Sequence, residues 1–157
     1  MIKLIVAHDP NRLIGNGSHM PWEVPGELQH FKEQTLGKTI VFGDVTFFGI
    51  GKPLPGRKTI ILTLDKDLKY DHEDVTIVND YMELVEKYKN SEKEIIICGG
   101  ATIYRLFLPY VDEMMITEIK ESFEGDVYFP EYSTDDFAKE VFNETEHYTV
   151  YKYTRKK

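Results

Sequence analysis

The chain has few cysteines, and its single one, Cys98, lies at the end of an apolar run. One thiol excludes an internal disulfide and a cysteine-based zinc cluster, and Cys98 is typical of a small buried residue. None of the five histidines has metal-ligand spacing, and no serine or cysteine lies in a nucleophile motif. We therefore expect neither a metal site nor covalent catalysis.

Positive charge is also scarce, since 19 basic residues face 27 acidic ones and the net charge is -8. This balance disfavours a nonspecific nucleic-acid partner. No long hydrophobic run is present: the N-terminal one, 1–7, is ended by His8, Asp9 and Pro10, and is too short for a signal peptide or a membrane span. We expect a cytoplasmic protein without membrane contact.

What is present fits one globular domain, because 157 residues with 41% hydrophobic and 29% charged residues can bury a substantial core. Apolar runs predict strands at 4–7, 39–42, 59–63, 75–78, 95–98 and 114–119, and helical patterns at 25–35, 44–48, 81–88 and 101–108. This alternation predicts an α/β fold, one doubly wound and mostly parallel sheet with helices on both faces. Residues 148–154 alternate like an antiparallel C-terminal strand, whereas 8–24 read as a long loop.

Glu27 is the most informative acidic residue, because it follows Trp22 and lies one helical turn before Phe31. An ionised carboxylate on an apolar helix face is costly unless it is paired, so it suggests recognition of an amidine-like ring edge. The alternative is that Pro25 is the first residue of the helix and that Glu27 lies in the first turn only because the helix dipole favours an acidic side chain there. The local pattern alone favours the helix-dipole interpretation, so the case for ligand recognition depends on the rest of the chain.

Two glycine-containing turns between a strand and a helix, Gly99-Gly100 and Gly43 with Thr46, are suited to cofactor phosphates, because glycine lets the backbone approach closely. The full GxGxxG fingerprint is absent, and the glycines could be purely conformational. Arg57 follows a rigid proline-containing segment and could bind a carboxylate through two hydrogen bonds. Its local pattern favours a solvated surface arginine.

Taken together, these motifs resemble those of dihydrofolate reductase over nearly the whole chain. The resemblance rests on Ala7, Ile14-Gly15, Met20-Pro21-Trp22, Pro25 with Glu27-Leu28 and Phe31, Gly43 with Thr46, the segment 50–57, Gly99-Gly100 to Tyr104, Thr117, and 124–130. It implies hydride transfer from reduced nicotinamide to C6 of dihydrofolate, with a proton delivered to N5, and it implies a monomer that binds antifolates. The cofactor supplies the difficult chemistry.

The same resemblance implies that Glu27 holds the amino-pyrimidine edge of the pterin, assisted by Thr117, while Trp22 orders a nearby water and Met20 closes over the nicotinamide. The other expected substrate-binding residues are Ile5, Leu28, Phe31, Ile50 and Leu54, with Arg57 on the glutamate tail. The expected cofactor-binding residues are Ala7, Ile14, Gly15, Met20, Gly43, Asp44, Val45, Thr46, Thr63, Leu64, Cys98, Gly99, Gly100, Ala101, Thr102, Ile103 and Tyr104. The adenosine-binding lobe is expected at about 38–92.

The chain departs from the family pattern where phosphates are held, with Asp44 and Thr102 in place of basic residues and Leu64 in place of a hydroxyl. An acid near the ribose repels a 2′-phosphate, so a weakened preference for NADPH over NADH is expected. Lys38, Lys66 or Lys69 could compensate. Two alternatives stay open: a noncatalytic pterin-binding or nucleotide-binding protein, and a reductase of another pterin or a flavin precursor.

Overall fold

The computed structural model describes residues 1–15 and 22–156. The strands are β1 Ile2–His8, β2 Leu13–Gly15, β3 Thr39–Gly43, β4 Lys58–Leu62, β5 Val75–Val78, β6 Ile95–Ile97, β7 Glu113–Ile119, β8 Val127–Tyr128, β9 Phe137–Glu144 and β10 Tyr148–Arg155. The helices are α1 Glu27–Thr35, α2 Asp44–Ile50, α3 Tyr81–Tyr88 and α4 Ala101–Phe107, which continues into a 3-10 turn, Leu108–Tyr110.

The central sheet has eight strands in the order β5-β4-β3-β6-β1-β7-β10-β9. Every pairing from β5 to β7 is parallel, and β10 pairs antiparallel with both β7 and β9. The predicted fold class is therefore confirmed, including the antiparallel C-terminal strand. A separate two-stranded ladder joins β2 to β8.

Helices cover both faces of the sheet, and the side chains of β1 alternate between the two cores. Leu4 and Val6 belong to a buried cluster with residues of α3 and α4, whereas Ile5 belongs to a second cluster that includes Phe47 of α2. A strand buried on both sides must be apolar at consecutive positions, which is why β1 lacks a polar alternation. The arrangement places the carboxyl ends of β1, β3, β4 and β6 at one edge.

Three local expectations differ from the structure. Helix α1 begins at Glu27 rather than at Pro25, because Gly26 adopts a left-handed φ of 86° that interrupts the helical path. The predicted loop 8–24 contains β2. Its partner β8 is distant in the sequence, so the local pattern does not indicate a strand. Strand β9 was not predicted, since only Phe137 of its eight residues is buried and it shows no alternating pattern.

Among the residues that the structure describes, no helix combines the length and the apolarity needed to cross a membrane.

Candidate active site

A cleft of about 1630 Å³ opens at the carboxyl ends of the central strands, the usual position of ligand sites in doubly wound sheets. All of the predicted site residues that the structure describes line it: Ile5, Ala7, Ile14, Gly15, Trp22, Glu27, Leu28, Phe31, Gly43, Asp44, Val45, Thr46, Ile50, Leu54, Arg57, Thr63, Leu64, Cys98, Gly99, Gly100, Ala101, Thr102, Ile103, Tyr104 and Thr117. Met20 lies outside the described residues. One cavity is thus formed by residues that lie far apart in the sequence.

Glu27, the first residue of α1, is 7% exposed and lines the cleft. Burial alone raises the pKa of its carboxyl group above the ordinary value. Within residues 1–15 and 22–156, no hydrogen-bond donor or cation pairs with this carboxylate. The helix-dipole interpretation describes its place in the first turn correctly, but it does not account for a buried acid that has no partner among the described residues.

Two further polar groups reach the cleft near its apolar floor. Thr117 of β7 is 1% exposed and lies opposite Ala7 of β1 in the parallel ladder. Trp22 is buried, its ring lies 5.5 Å from that of Phe123, and its indole N–H has no acceptor in the described part of the chain. Buried polar groups without partners in the protein are suited to a polar ligand.

Arg57 is 8% exposed, so its interpretation as a solvated surface arginine is wrong. Its Nε donates to the Pro55 carbonyl at 3.0 Å and its Nη1 donates to Thr35 Oγ1 at 3.1 Å. Thr35 in turn donates to the Phe31 carbonyl at 2.8 Å, which fixes the arrangement to α1. All these acceptors are uncharged, so the guanidinium keeps its full positive charge facing the cleft.

The apolar side chains that line the cleft are of two kinds, some packed against the core and others exposed. Phe31 and Leu54 pack against the second core cluster, whereas Leu28 is 71% exposed and Ile50 is 41% exposed. Leu28 and Ile50 are therefore not core residues. Large apolar side chains exposed in a concave surface are typical of a binding site for a flat aromatic ligand.

The two glycine turns meet at the middle of the cleft, where the Gly43 amide donates to the Gly99 carbonyl at 2.8 Å. A Cβ on Gly100 would lie 2.8 Å from Thr46 Oγ1, and one on Gly43 would lie 2.9 Å from Ile103 Cγ1. At such distances a side chain on either glycine would force Thr46 or Ile103 to shift. The glycines therefore have a packing role, and they also line the cleft.

The far end of the cleft is acidic. Asp44 accepts hydrogen bonds from the Thr63 hydroxyl at 2.7 Å and from the Val45 amide at 2.8 Å. Asp65 and Asp80 line the same end. Among described residues the lining lysine and arginine side chains are Lys32 and Arg57, which lie at the α1 end.

Lys38 does not supply the missing cation at the acidic end. It precedes β3, whereas the cleft lies beyond the carboxyl end of that strand, and its Nζ lies 2.7 Å from Glu94 Oε1. The expectation that Lys38 could compensate is therefore wrong.

Several lining residues were not predicted, and the clearest is His30. It lies one turn after Glu27, is 8% exposed, and its pKa is lowered because burial disfavours the charged ring. The three-residue spacing from Glu27 was the available signal. Asn79 and Tyr81 also line the acidic end, and nothing in their local sequence indicates this.

Comparison with known proteins agrees with this geometry. A family model described as dihydrofolate reductase matches residues 1–156. The dihydrofolate reductase of Lactococcus lactis subsp. lactis is 40% identical over 163 residues, covering 100% of this chain and 96% of that protein. That of Bacillus subtilis is 39% identical over 132 residues, covering 84% and 77% respectively.

A solved structure shows the same fold. It is that of dihydrofolate reductase from Enterococcus faecalis complexed with NADP(H) and RAB-propyl, and it is 33% identical with a TM-score of 0.87. The match covers 100% of this chain and 97% of that one. With the cleft, the family match and these relatives in agreement, the chain belongs to the dihydrofolate reductase family of nicotinamide-dependent oxidoreductases.

Proposed function

We propose that the cleft binds dihydrofolate at its α1 end and the nicotinamide cofactor along the glycine turns. The activity is the reduction of 7,8-dihydrofolate to 5,6,7,8-tetrahydrofolate, which supplies one-carbon metabolism and nucleotide synthesis. The observation that carries the proposal is the buried carboxylate of Glu27, which has no partner among the described residues. A buried acid of this kind selects a ligand that donates hydrogen bonds in pairs.

At the α1 end, Glu27 accepts hydrogen bonds from the amino-pyrimidine edge of the pterin, and Thr117 supports this contact. Leu28, Phe31 and Ile50 enclose the ring and the aminobenzoyl group with apolar surface. Holding the ring by one edge fixes which face is presented to the cofactor. The carboxylate also favours protonation at N5, with a water ordered near Trp22 as the immediate donor.

Arg57 binds the α-carboxylate of the glutamate tail. Among the described residues its guanidinium donates to neutral acceptors only. A ligand carboxylate would therefore be its anionic partner. A planar guanidinium already fixed by two hydrogen bonds loses little conformational entropy on binding. Substrates of a different pterin or flavin pathway have no tail carboxylate and leave this charge unused.

The cofactor is NADPH, and the residues present fit a dinucleotide. Gly43 and Gly100 line the cleft without side chains, so a pyrophosphate can approach the backbone there. Bound reduced nicotinamide supplies the hydride. Ala7, Cys98 and Tyr104 form the wall against the ring, and Met20, which lies outside the described residues, closes over it. The adenosine lies within the lobe 38–92, beside Thr63, Leu64 and the acidic end.

Asp44 sets the relative use of the two nicotinamide dinucleotides. Its carboxylate, oriented by Thr63, accepts a hydrogen bond from a free ribose hydroxyl and repels a 2′-phosphate. We expect NADH to be used alongside NADPH with a smaller difference than a cationic site would give.

The direct test measures oxidation of NADPH and of NADH with dihydrofolate as the second substrate, at stated ionic strength. Turnover that requires dihydrofolate supports the proposal. Tight folate binding without turnover under either cofactor indicates the noncatalytic alternative, and turnover with a tail-free pterin but not with dihydrofolate indicates the other reductase. We also propose a cytoplasmic monomer that binds antifolates.

A further inference from the structure

The carboxylate of Asp9 is fully buried at the end of β1, and backbone amides surround it. Its Oδ1 accepts hydrogen bonds from the Asn11 amide at 2.8 Å and the Leu13 amide at 2.9 Å. Its Oδ2 accepts one from the Phe123 amide at 3.0 Å. A buried carboxylate with three amide donors is well stabilised, so its position is strongly fixed.

These bonds join two segments that are far apart in the sequence. Asn11 lies in the turn before β2 and Leu13 is the first residue of β2, whereas Phe123 follows β7. The Asp126 amide donates to the Gly15 carbonyl at 3.1 Å, and a Cβ on Gly125 would overlap that same carbonyl. The segment around Phe123 therefore lies directly against β2.

Phe123 carries the contact onward to the cleft. Its ring centroid lies 5.5 Å from that of Trp22, with the planes inclined at 53°. Trp22 lines the cleft and shares a buried cluster with Ile119 and Tyr148. Tilted aromatic pairs at this separation attract each other beyond their buried area, so the position of Phe123 constrains that of the indole.

We propose that Asp9 is a positioning residue for dihydrofolate reduction, which acts through the Phe123 amide to hold the Trp22 indole in the cleft wall. Asp9 itself does not line the cleft. The expected effect of Asp9 on turnover rests on the proposed function, whereas its expected effect on Trp22 rests on geometry alone.

The test uses Asp9→Asn, which keeps one acceptor oxygen for the Asn11 and Leu13 amides and replaces the oxygen facing Phe123 by an NH₂ group. Trp22 is the only tryptophan of the chain, so intrinsic fluorescence reports on it alone. We expect a red-shifted emission, about twofold greater quenching by acrylamide, and a kcat for dihydrofolate lowered roughly 10- to 100-fold. Binding of adenosine 2′,5′-bisphosphate at the far end should stay within about twofold of wild type.

Asp112→Asn is the matched control. Its carboxylate also accepts a hydrogen bond from a backbone amide, that of Ile2 at 2.9 Å, but at the opposite end of β1 from Asp9, and it pairs with Lys89 at 2.7 Å. We expect this variant to lose stability without a change in Trp22 emission or kcat. If Asp112→Asn and Asp9→Asn change both quantities equally, the positioning role is refuted and the effect is one of general stability.

Phe123→Leu keeps the bond to Asp9 but removes the ring contact, and it serves if Asp9→Asn does not fold. We expect the same fluorescence change and a similar fall in kcat. Unchanged Trp22 emission in either folded variant overturns the inference. Absence of reductase activity in the wild type would instead contradict the proposed function, and the fluorescence comparison would still decide the role of Asp9.

Discussion

The two ends of the cleft differ in whether their charged side chains have hydrogen-bond or ionic partners within the described structure. At the α1 end, Glu27 has no partner in the described structure and Arg57 donates only to neutral oxygens, so both charges are left for a ligand. At the far end, both oxygens of Asp44 are already used by Thr63 and Val45. One end therefore selects ligands by charge complementarity, whereas the other discriminates by repulsion.

This contrast teaches where binding energy and specificity come from. Unpaired buried charges make a large difference when the correct ligand supplies the partner, because an incorrect ligand leaves the desolvation penalty in place. A carboxylate that is satisfied within the protein adds little attraction and acts mainly against like charge. We therefore expect substitutions at the α1 end to have larger effects than those at the far end.

The largest effect is expected from Glu27→Ala. Removal of the acid eliminates both the ring contact and the assistance to protonation, so kcat should fall about 10²- to 10⁴-fold at pH 7. The loss should shrink near pH 5, where a larger fraction of the substrate is already protonated. Steady-state rates across this pH range check the expectation, and an equal loss at every pH would contradict the proposed role of Glu27.

Arg57→Lys is expected to weaken dihydrofolate binding roughly 100-fold, because lysine keeps the charge but cannot form two parallel bonds to a carboxylate. A pterin without the glutamate tail should bind as it does to wild type. Arg155→Lys is a matched control, since Arg155 donates to the Val111 and Leu108 carbonyls away from the cleft. Titration of ligand-induced fluorescence quenching measures both, and equal losses for the two pterins would refute the contact with the tail.

Asp44→Asn should shift the ratio of kcat/KM for NADPH over NADH about tenfold toward NADPH, which corresponds to about 1.4 kcal/mol. Asparagine removes the charge, keeps one acceptor oxygen for the Val45 amide, and can donate from its NH₂ group to the Thr63 hydroxyl oxygen. Affinities for adenosine 2′,5′-bisphosphate and for AMP should diverge in the same direction, less so at high salt. Asp67→Asn, outside the cleft, is the control, and a strong NADPH preference in the wild type at moderate salt would refute the role of Asp44.

The smallest effect concerns stability. Because the folded-state pKa of Glu27 is raised, its ionised form destabilises the free protein at pH values above that pKa, and the penalty disappears below the ordinary value of 4.5. Glu27→Gln should therefore raise Tm by a few degrees at pH 7 and leave it unchanged at pH 4. Thermal unfolding without ligands measures this, and an equal gain at both pH values would show that burial of charge is not the cause.

Local patterns predicted the elements whose signals lie within a few residues. The helices α3 and α4 and the strands of the parallel sheet follow apolar periodicity, and the glycine turns at Gly43 and Gly99-Gly100 mark where strands meet helices. Strand β9 could not be predicted, because an exposed edge strand has no hydrophobic alternation.

The site could be predicted only in part, because only some of its residues have a signal within a few positions in the sequence. Glu27 could be singled out, but its two interpretations differ in burial, which depends on packing from other segments. Arg57 looked like a surface residue because its acceptor Thr35 lies 22 residues away. Asp9 gave no signal at all, since its bond to Phe123 joins positions 114 residues apart.

The hydrogen bond from the Gly43 amide to the Gly99 carbonyl has a consequence for inhibitor design. It ties the loops after β3 and β6 into one unit, so the width of the cleft at this point is set before any compound arrives. A compound that binds beside Gly43 and Gly99 must therefore fit the width that this hydrogen bond sets. Compounds of different shape are instead better accommodated beside Leu28 and Ile50, whose side chains are exposed and less constrained by packing.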